Sequence, residues 1–406
     1  VLQNITLGRE RATGGLLRSM RAEFDALMER LPGVRLDPEA RVADLGIGAR
    51  QMTEIARALL CDAALVVFDE PTSGLSRNEV EVLFAVIRRL AAGGVAVVYI
   101  SHFLEEVLEI ADRHTVLRDG RTVCTGASAG VRVEDLVRFM VGRTVDELYI
   151  RTPEPVGPPA CRLVLERAGG LDPIPALTLR SGEVLGIAGL VGSGRTELLK
   201  SVFGSHRHVR GRLELKTGRS ERVMDLAHLN PRKALAAGIG FLPEDRKAEG
   251  LALDLSLADN QTLAFMSRFR RGFALDLRRR RAEVGDWLGR MHVAYRSSDD
   301  PVRALSGGNQ QKVLLGRLLQ HDLDLLLLDD PTRGVDVGAK VEIYRLIRDA
   351  AAQGAIVIVA SSYLPELFGI SHSIAVMHRG RLSPVRPASQ WTSDSVLRYA
   401  ATGAIT

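Results

Sequence analysis

The stretch Asp69-Glu70-Pro71-Thr72 returns as Asp329-Asp330-Pro331-Thr332, a shift of 260 residues. The register holds well beyond these four positions, because Leu45 maps to Leu305, Gly48 to Gly308, Gln51 to Gln311, Arg57 to Arg317, Asp62 to Asp322, Gly74 to Gly334 and Gly120 to Gly380. Over Leu45 to Leu75, 11 of 31 positions are identical. Unrelated sequences of this composition would share roughly two. A period of 260 is far too long for a solenoid, so the chain reads as one domain written twice. Between the copies, Thr152 to Ala160 reads TPEPVGPPA, with four prolines in nine residues, a stiff extended linker. The expected organisation is a first module at 1–150, a linker at 151–160 and a second module at 161–402.

Each copy carries apolar runs that end in acids: Ala64 to Phe68 before Asp69, and Leu325 to Leu328 before Asp329. They do not alternate with polar residues, as expected of parallel strands buried on both faces. Helical stretches follow, Glu79 to Ala91 and Val341 to Ala352, and each returns to a strand, Val95 to Ile100 and Ala355 to Ala360. That is a βαβ, doubly wound α/β layout.

Composition narrows the function classes. With 46% hydrophobic and 25% charged residues the chain is neither disordered nor fibrous. A net charge of 54 − 49 = +5 is too small to imply nucleic acid. The arginines Arg278 to Arg281, with Arg268, Arg270 and Arg271 nearby, read as a solvated helix face. No apolar stretch approaches the roughly 20 residues that span a bilayer. Cys61, Cys124 and Cys161 are odd in number and far apart, which fits neither a disulfide framework nor a zinc cluster and suggests a reduced, cytosolic chain. The first residue is Val and no signal segment follows, so a fragment of a longer protein is expected.

In the second copy, Gly189-Leu-Val-Gly192-Ser193-Gly194-Arg195-Thr196 follows the predicted strand Val184 to Ala188 and opens a helical run, Glu197 to Val202. This is a GxxxxGK[ST] phosphate loop with Arg in place of Lys. The glycines let backbone N–H groups turn inward on an anion at a helix N-terminus, and Thr196 can reach a Mg²⁺ ion. A planar guanidinium is bulkier than an ammonium and prefers bidentate contacts. The loop is therefore expected to bind phosphate while serving turnover poorly.

Leu305-Ser306-Gly307-Gly308-Asn309-Gln310-Gln311 matches the LSGGQ-type signature of ATP-binding cassette ATPases, placed upstream of the strand and acid pair as in that family. Essentially the whole chain, residues 1–402, resembles the tandem-cassette ATP-binding subunit of bacterial sugar importers of the ribose, xylose and galactose type. Pro243-Glu244-Asp245-Arg246-Lys247 and Pro331-Thr332-Arg333-Gly334-Val335-Asp336-Val337-Gly338 are similar to that subgroup as well. The resemblance implies two P-loop ATPase modules in tandem, each with a RecA-like parallel sheet core and a helical subdomain. It also implies head-to-tail pairing, in which each ATP lies between the phosphate loop of one module and the signature of the other.

Two unlike sites follow from that pairing. For the first, the resemblance implies Asp69 at Mg²⁺, Glu70 polarising the attacking water and His102 contacting the γ-phosphate, closed by Ser306, Gly307, Gly308 and Gln310. For the second, it implies nucleotide binding by Gly189, Gly192, Ser193, Gly194, Arg195, Thr196 and Glu244, with Thr196 and Asp329 at Mg²⁺ and Asp330 in the catalytic position. The second site departs from the family at Arg195, at Asp330 in place of Glu, at Ser362 in the switch position and at Glu244 in place of Gln. Its opposing signature, Leu45-Gly46-Ile47-Gly48-Ala49-Arg50-Gln51, is also degraded. A weakly hydrolytic site is expected beside a consensus one.

Subtracting 260 from Gly189 gives −71, outside the sequence. The first module is thus expected to lack its opening strands and phosphate loop, and this chain alone to be a weak ATPase. Expected partners are a multi-span permease and, indirectly, a periplasmic or lipid-anchored sugar-binding protein, with no nucleic acid. The expected location is peripheral, on the cytoplasmic face of the inner membrane, with Val1 to about Arg41 and Gly250 to Asp300 as docking faces. The alternative is a soluble tandem-cassette ATPase acting on ribosomes. The short, proline-rich linker and degraded signature speak against it.

Overall fold

In a computed structural model, the structure describes residues 1–7, 17–31, 33–60, 63–72, 75, 77–101, 103–118, 120–141, 157–217, 221–321 and 323–404. Two units divide the chain, Val1–Thr144 and Val145–Thr406.

In the first unit, β1 (Leu65–Asp69) pairs in parallel with β2 (Ala96–Ile100), and β3 (Arg113–Arg118) forms a hairpin with β4 (Arg121–Ala127). Val66 and Phe68 face a core shared with Met52, Ile55 and Leu59 of the helix Ile47–Leu59 and with Leu83, Phe84 and Ile87 of the helix Arg77–Ala92. The opposite face is bare. Leu65, Val67, Val98 and Ile100 are 54%, 56%, 44% and 47% exposed.

The second unit contains a larger sheet. It comprises β5 (Pro159–Arg167), β6 (Ile174–Arg180), β7 (Val184–Gly189), β8 (Arg210–Lys216), β9 (Glu221–Asp225) and β10 (Ile239–Leu242). A small hairpin of β11 (Arg270–Arg271) and β12 (Ala274–Leu275) comes next, followed by β13 (Leu325–Asp329), β14 (Ile356–Ala360), β15 (Ser373–His378), β16 (Arg381–Leu382) and β17 (Arg386–Pro387). The central sheet runs β10-β13-β14-β7-β15-β16, with the first five strands parallel. A second, antiparallel sheet runs β6-β5-β8-β9. Strand β5 starts at Pro159, inside the stretch read as linker; proline is tolerated at a strand's first residue, where its missing N–H breaks no ladder bond.

Alternate residues of the central strands feed two separate cores. Leu326, Leu328, Val357 and Val359 join the helical side with Leu314, Leu315 and Ile343, whereas Leu325, Leu327, Ile356 and Ile358 join Leu198, Leu199 and Val202 of the helix Arg195–Phe203 and the inner face of the antiparallel sheet. Burial on both faces therefore holds for β13 and β14, every residue of which is buried. The same expectation fails for β1, and β2 beside it is bare on the same face. Their exposed residues map at +260 to Leu325, Leu327, Ile358 and Ala360, which the phosphate-loop helix and antiparallel sheet cover in the second unit. Among the described residues of the first unit no such layer lies on that face, so a continuous apolar run ends up half wet.

The backbone repeat is otherwise close. Ile47–Leu59 and Gly307–Leu319, β1 and β13, Arg77–Ala92 and Val337–Ala352, β2 and β14, and Leu104–Ile110 and Leu364–Ile370 share their bounds at a shift of 260. The residue after β1 and the residue after β13 are both left-handed, Glu70 at φ 48° and Asp330 at φ 42°. Each donates its N–H to the strand alongside, Glu70 to Ile100 and Asp330 to Ala360, both at 2.8 Å. A left-handed non-glycine residue costs on the order of 1 kcal/mol or more, so the ladder must hold the turn in place.

The arginine face also needs correction. Arg280 is not solvated: it ion-pairs with Asp259 and donates Nε to Thr262 Oγ1 at 2.9 Å, because helix Leu277–Arg290 packs that edge against Leu257–Thr262.

Burial predicts unequal responses to the same substitution. Leu325→Ala should cost about 2–5 kcal/mol and Leu65→Ala under about 1 kcal/mol, since only the first opens a cavity. Scanning calorimetry of the two variants checks this; equal losses would show that Leu65 is covered.

Candidate functional site

The C-terminal ends of parallel strands are where an open α/β sheet offers a crevice. Here that rim gathers the loop after β7, the acids after β13, the turn after β14 and Glu244 just past β10. The phosphate loop leaves β7 at Gly189 and re-enters a helix at Arg195, with Gly194 as N-cap at φ 107°. The left-handed φ favours glycine at 194, and a Cβ there would also press on Leu171 Cδ2 at 2.8 Å. A helix N-terminus leaves its first-turn N–H groups without intrahelical partners and carries the positive end of the helix dipole.

Around the loop, three buried side-chain atoms have no hydrogen-bond partner: Ser193 Oγ, Arg195 Nη1 and Asp329 Oδ2. Each unsatisfied buried polar atom costs about 1–3 kcal/mol, more where charge is involved. Three together mark a place where a ligand supplies what the protein omits. The donor set is complementary: N–H groups, a hydroxyl and a guanidinium for an anion, and a carboxylate oxygen for a cation. Burial pushes the Asp329 carboxyl up to about 6, while a hydrogen bond from Thr196 and the Arg195 and Lys200 cations act against that rise. Asp329 Oδ2 and the Thr196 hydroxyl fit Mg²⁺, which takes one or two protein ligands and completes its shell with phosphate and water oxygens. The described residues hold no cluster of three His, Cys, Asp or Glu side chains suited to a metal by itself.

Asp330 is tied on both sides. Its Oδ1 accepts from the Ser362 N–H at 3.0 Å and hydroxyl at 3.4 Å, and its Oδ2 lies 3.6 Å from Arg195 Nη2. Glu244 is salt-bridged to Arg333.

The signature has its own supports. Ser306 caps the helix Gly307–Leu319, accepting from the Asn309 N–H at 3.5 Å and also from Asn309 Nδ2 at 3.0 Å. Gln310 is turned inward, donating to the Leu305 carbonyl at 3.1 Å and accepting from Arg246 Nε at 3.4 Å. Arg246 also donates to the carbonyls of Arg333 at 2.8 Å and Gly334 at 3.3 Å. A Cβ on Gly307 would stand 2.7 Å from Arg246 Nη2, so the glycine is needed for this guanidinium to pass over it. Gly308 packs beside Ala339 and Asp336.

In the first unit, Asp69 ends β1 and Glu70 follows it; His102 lies outside the described residues. The helix equivalent to the signature helix is capped by Gly46, with no side-chain bond.

One residue pair escaped sequence reasoning. Glu366 is 1% exposed and accepts from Thr332 Oγ1 at 2.9 Å and Ser361 Oγ at 2.6 Å, joining the acid-pair turn to the segment after β14. Its counterpart Glu106 accepts from Thr72, Tyr99 and Ser101. The two differ by 260, so extending the repeat register would have found them.

Residues 174–333 match the ABC transporter family. The chain is 43% identical to the ribose import ATP-binding protein RbsA 1 of Streptomyces avermitilis, over 98% of this chain and 76% of that protein. It is 41% identical to the arabinose import ATP-binding protein AraG 2 of Burkholderia thailandensis, over 98% and 76%. The solved structure of an RNase-L Inhibitor superposes with a TM-score of 0.55 at 20% identity, over 90% of this chain and 68% of that one, a likeness of fold alone.

Glu366 yields a pH prediction. Burial raises its carboxyl from 4.5 to about 7, so the native state binds more protons than the unfolded chain between those values, and stability falls as pH rises through that window. Glu366→Gln removes the buried charge. It should match the parent chain near about pH 5 and exceed it near about pH 8 by as much as about 3 kcal/mol. Denaturant unfolding at the two pH values checks this; a parallel pH response of the two proteins would contradict it.

Proposed function

This chain belongs to the family of ATP-binding subunits of ABC sugar importers, and from that premise we propose that it binds and hydrolyses ATP to energise carbohydrate import through a membrane permease, with one consensus and one degenerate ATP site. The observation that carries the nucleotide reading is the trio of unpartnered buried atoms, Ser193 Oγ, Arg195 Nη1 and Asp329 Oδ2, around a glycine-rich loop at a helix N-terminus. When bound there, Mg²⁺ held by Thr196 and Asp329 would neutralise charge on the phosphate oxygens. The remaining chemistry belongs to this chain: the loop N–H groups and Arg195 orient the phosphates, and the apolar cores behind them exclude water.

Two cassettes in tandem are supported by the coincident bounds of five element pairs at a shift of 260 and by the shared left-handed acid. We assign Gly189 to Thr196, Glu244, Asp329 and Asp330 to the degenerate site and Asp69, Glu70 and His102 to the consensus one; Ser306, Gly307, Gly308 and Gln310 belong to the intact signature and Leu45 to Gln51 to the degraded one. Glu70 keeps the longer carboxylate, while Asp330 is one methylene shorter and already engaged by Ser362 and Arg195. A displacement of about 1 Å at a reacting group can cost on the order of 100-fold in rate.

Among the described residues, no helix is long and apolar enough to cross a membrane. The reading therefore places the chain peripherally at the inner membrane, docked on a permease through 1–41 and 250–300, with a sugar-binding protein acting across the membrane. Relatives named for ribose and arabinose import favour this over a ribosomal role.

The test is steady-state ATPase activity with the permease present. With the chain extended upstream so that its first module carries a phosphate loop, Glu70→Gln should reduce turnover on the order of 100-fold or more, and Asp330→Asn by less than about tenfold. Turnover abolished by Asp330→Asn and retained in Glu70→Gln would reverse the assignment of the two sites.

A further inference from the structure

We propose that Arg195 and Asp330 form a latch across the phosphate loop that sets how strongly the second-unit site distinguishes a nucleoside triphosphate from a diphosphate. The inference rests on the nucleotide-binding reading of this loop and specifies what the loop selects.

Four observations converge on it. The two side chains are 8% and 10% exposed, so their 3.6 Å ion pair is shielded from the solvent that weakens surface pairs. Asp330 has little freedom to leave: Ser362 holds Oδ1 through its N–H and hydroxyl, and the ladder bond to Ala360 fixes the left-handed backbone behind it. Arg195 is held by one arm only, with Nη2 facing Asp330 and Nη1 buried and unpartnered. Among the described residues Asp330 is the acid paired with Arg195 Nη2, while other charges of this rim engage elsewhere, Glu244 with Arg333 and Lys200 with Glu249, and Arg195 and Lys200 also act on Asp329.

A diphosphate bound to a glycine-rich loop engages backbone N–H groups and the Thr196 side, and leaves the pair intact. A third phosphate reaches further, toward the guanidinium. It must then take Arg195 from a carboxylate already aligned with it, and it approaches the Asp330 charge while doing so. Removing a buried partner's charge is worth far more than removing a surface one. The latch thus taxes the triphosphate and spares the diphosphate. In this account Asp330 is a positioning residue for Arg195, and the Asp for Glu change matches the Arg for Lys change, since the longer cation meets the shorter anion.

The test is equilibrium binding of Mg-ADP and of a Mg-bound non-hydrolysable ATP analogue to the full chain. Asp330→Asn keeps the Oδ1 acceptor for Ser362 while replacing the oxygen that faces Arg195. It should raise analogue affinity about tenfold relative to the parent chain, through release of one shielded ion pair, with ADP affinity within about twofold. Arg195→Lys provides a second reading should Asp330→Asn fail to fold, because a compact ammonium pairs less well with Asp330 and is freer to meet the third phosphate. It should shift the analogue-to-ADP ratio in the same direction. Equal shifts for both ligands, or an unchanged ratio in both variants, would overturn the latch while leaving the nucleotide reading in place. Failure of the parent chain to bind either ligand would instead overturn the nucleotide reading and the latch with it.

Discussion

Strands sealed by apolar side chains on both faces leave one place for polar chemistry, the rim past their last residue. In β13 and β14 alternate residues feed two separate cores, and Asp329, the last residue of β13, is the one charged side chain of that strand. Every other element of the site obeys the same restriction. The phosphate loop begins where β7 ends, Ser361 and Ser362 follow β14, and Glu244 follows β10. Parallel pairing aligns these ends, so residues spread from 189 to 362 converge at one rim.

The two units show which parts of this arrangement are structural and which are chemical. Both keep the strand, the left-handed acid, the bond to the neighbouring strand and a glutamate that collects hydroxyls from the adjoining turns, half-buried as Glu106 and buried as Glu366. These positions hold the backbone. The side chains that would meet a nucleotide have diverged instead. Ser306 caps its helix where Gly46 does so without a side chain, a change worth only a few tenths of a kcal/mol to the helix. Loss of the hydroxyl therefore matters to a ligand and hardly at all to the fold.

Strand and helix periodicity were legible because they follow from local pattern. The repeat register made Asp69 and Asp329 stand out as strand-ending acids, and the glycine spacing of 189–194 announced the loop. The burial of Leu65 and Val67 was misread, because a strand's own residues carry the same apolar pattern whether or not a second layer covers them. Arg280 looked like its neighbours in sequence; only the placement of Asp259 and Thr262 separates it from the solvated arginines. The pairing of Arg195 with Asp330 was likewise invisible, since each substitution taken singly reads as a defect. Together they neutralise one another.

The central claim is that the unpartnered atoms at 193, 195 and 329 are a site built for Mg-nucleotide. Hydrogen–deuterium exchange of the full chain with and without Mg-ATP tests it most directly, because binding at this loop must slow exchange of the amides that hold the phosphates. The account predicts protection concentrated in 190–196, accompanied by the segment around Asp329 and Asp330. Protection confined to other segments, with 190–196 exchanging at an unchanged rate under saturating nucleotide, would contradict it.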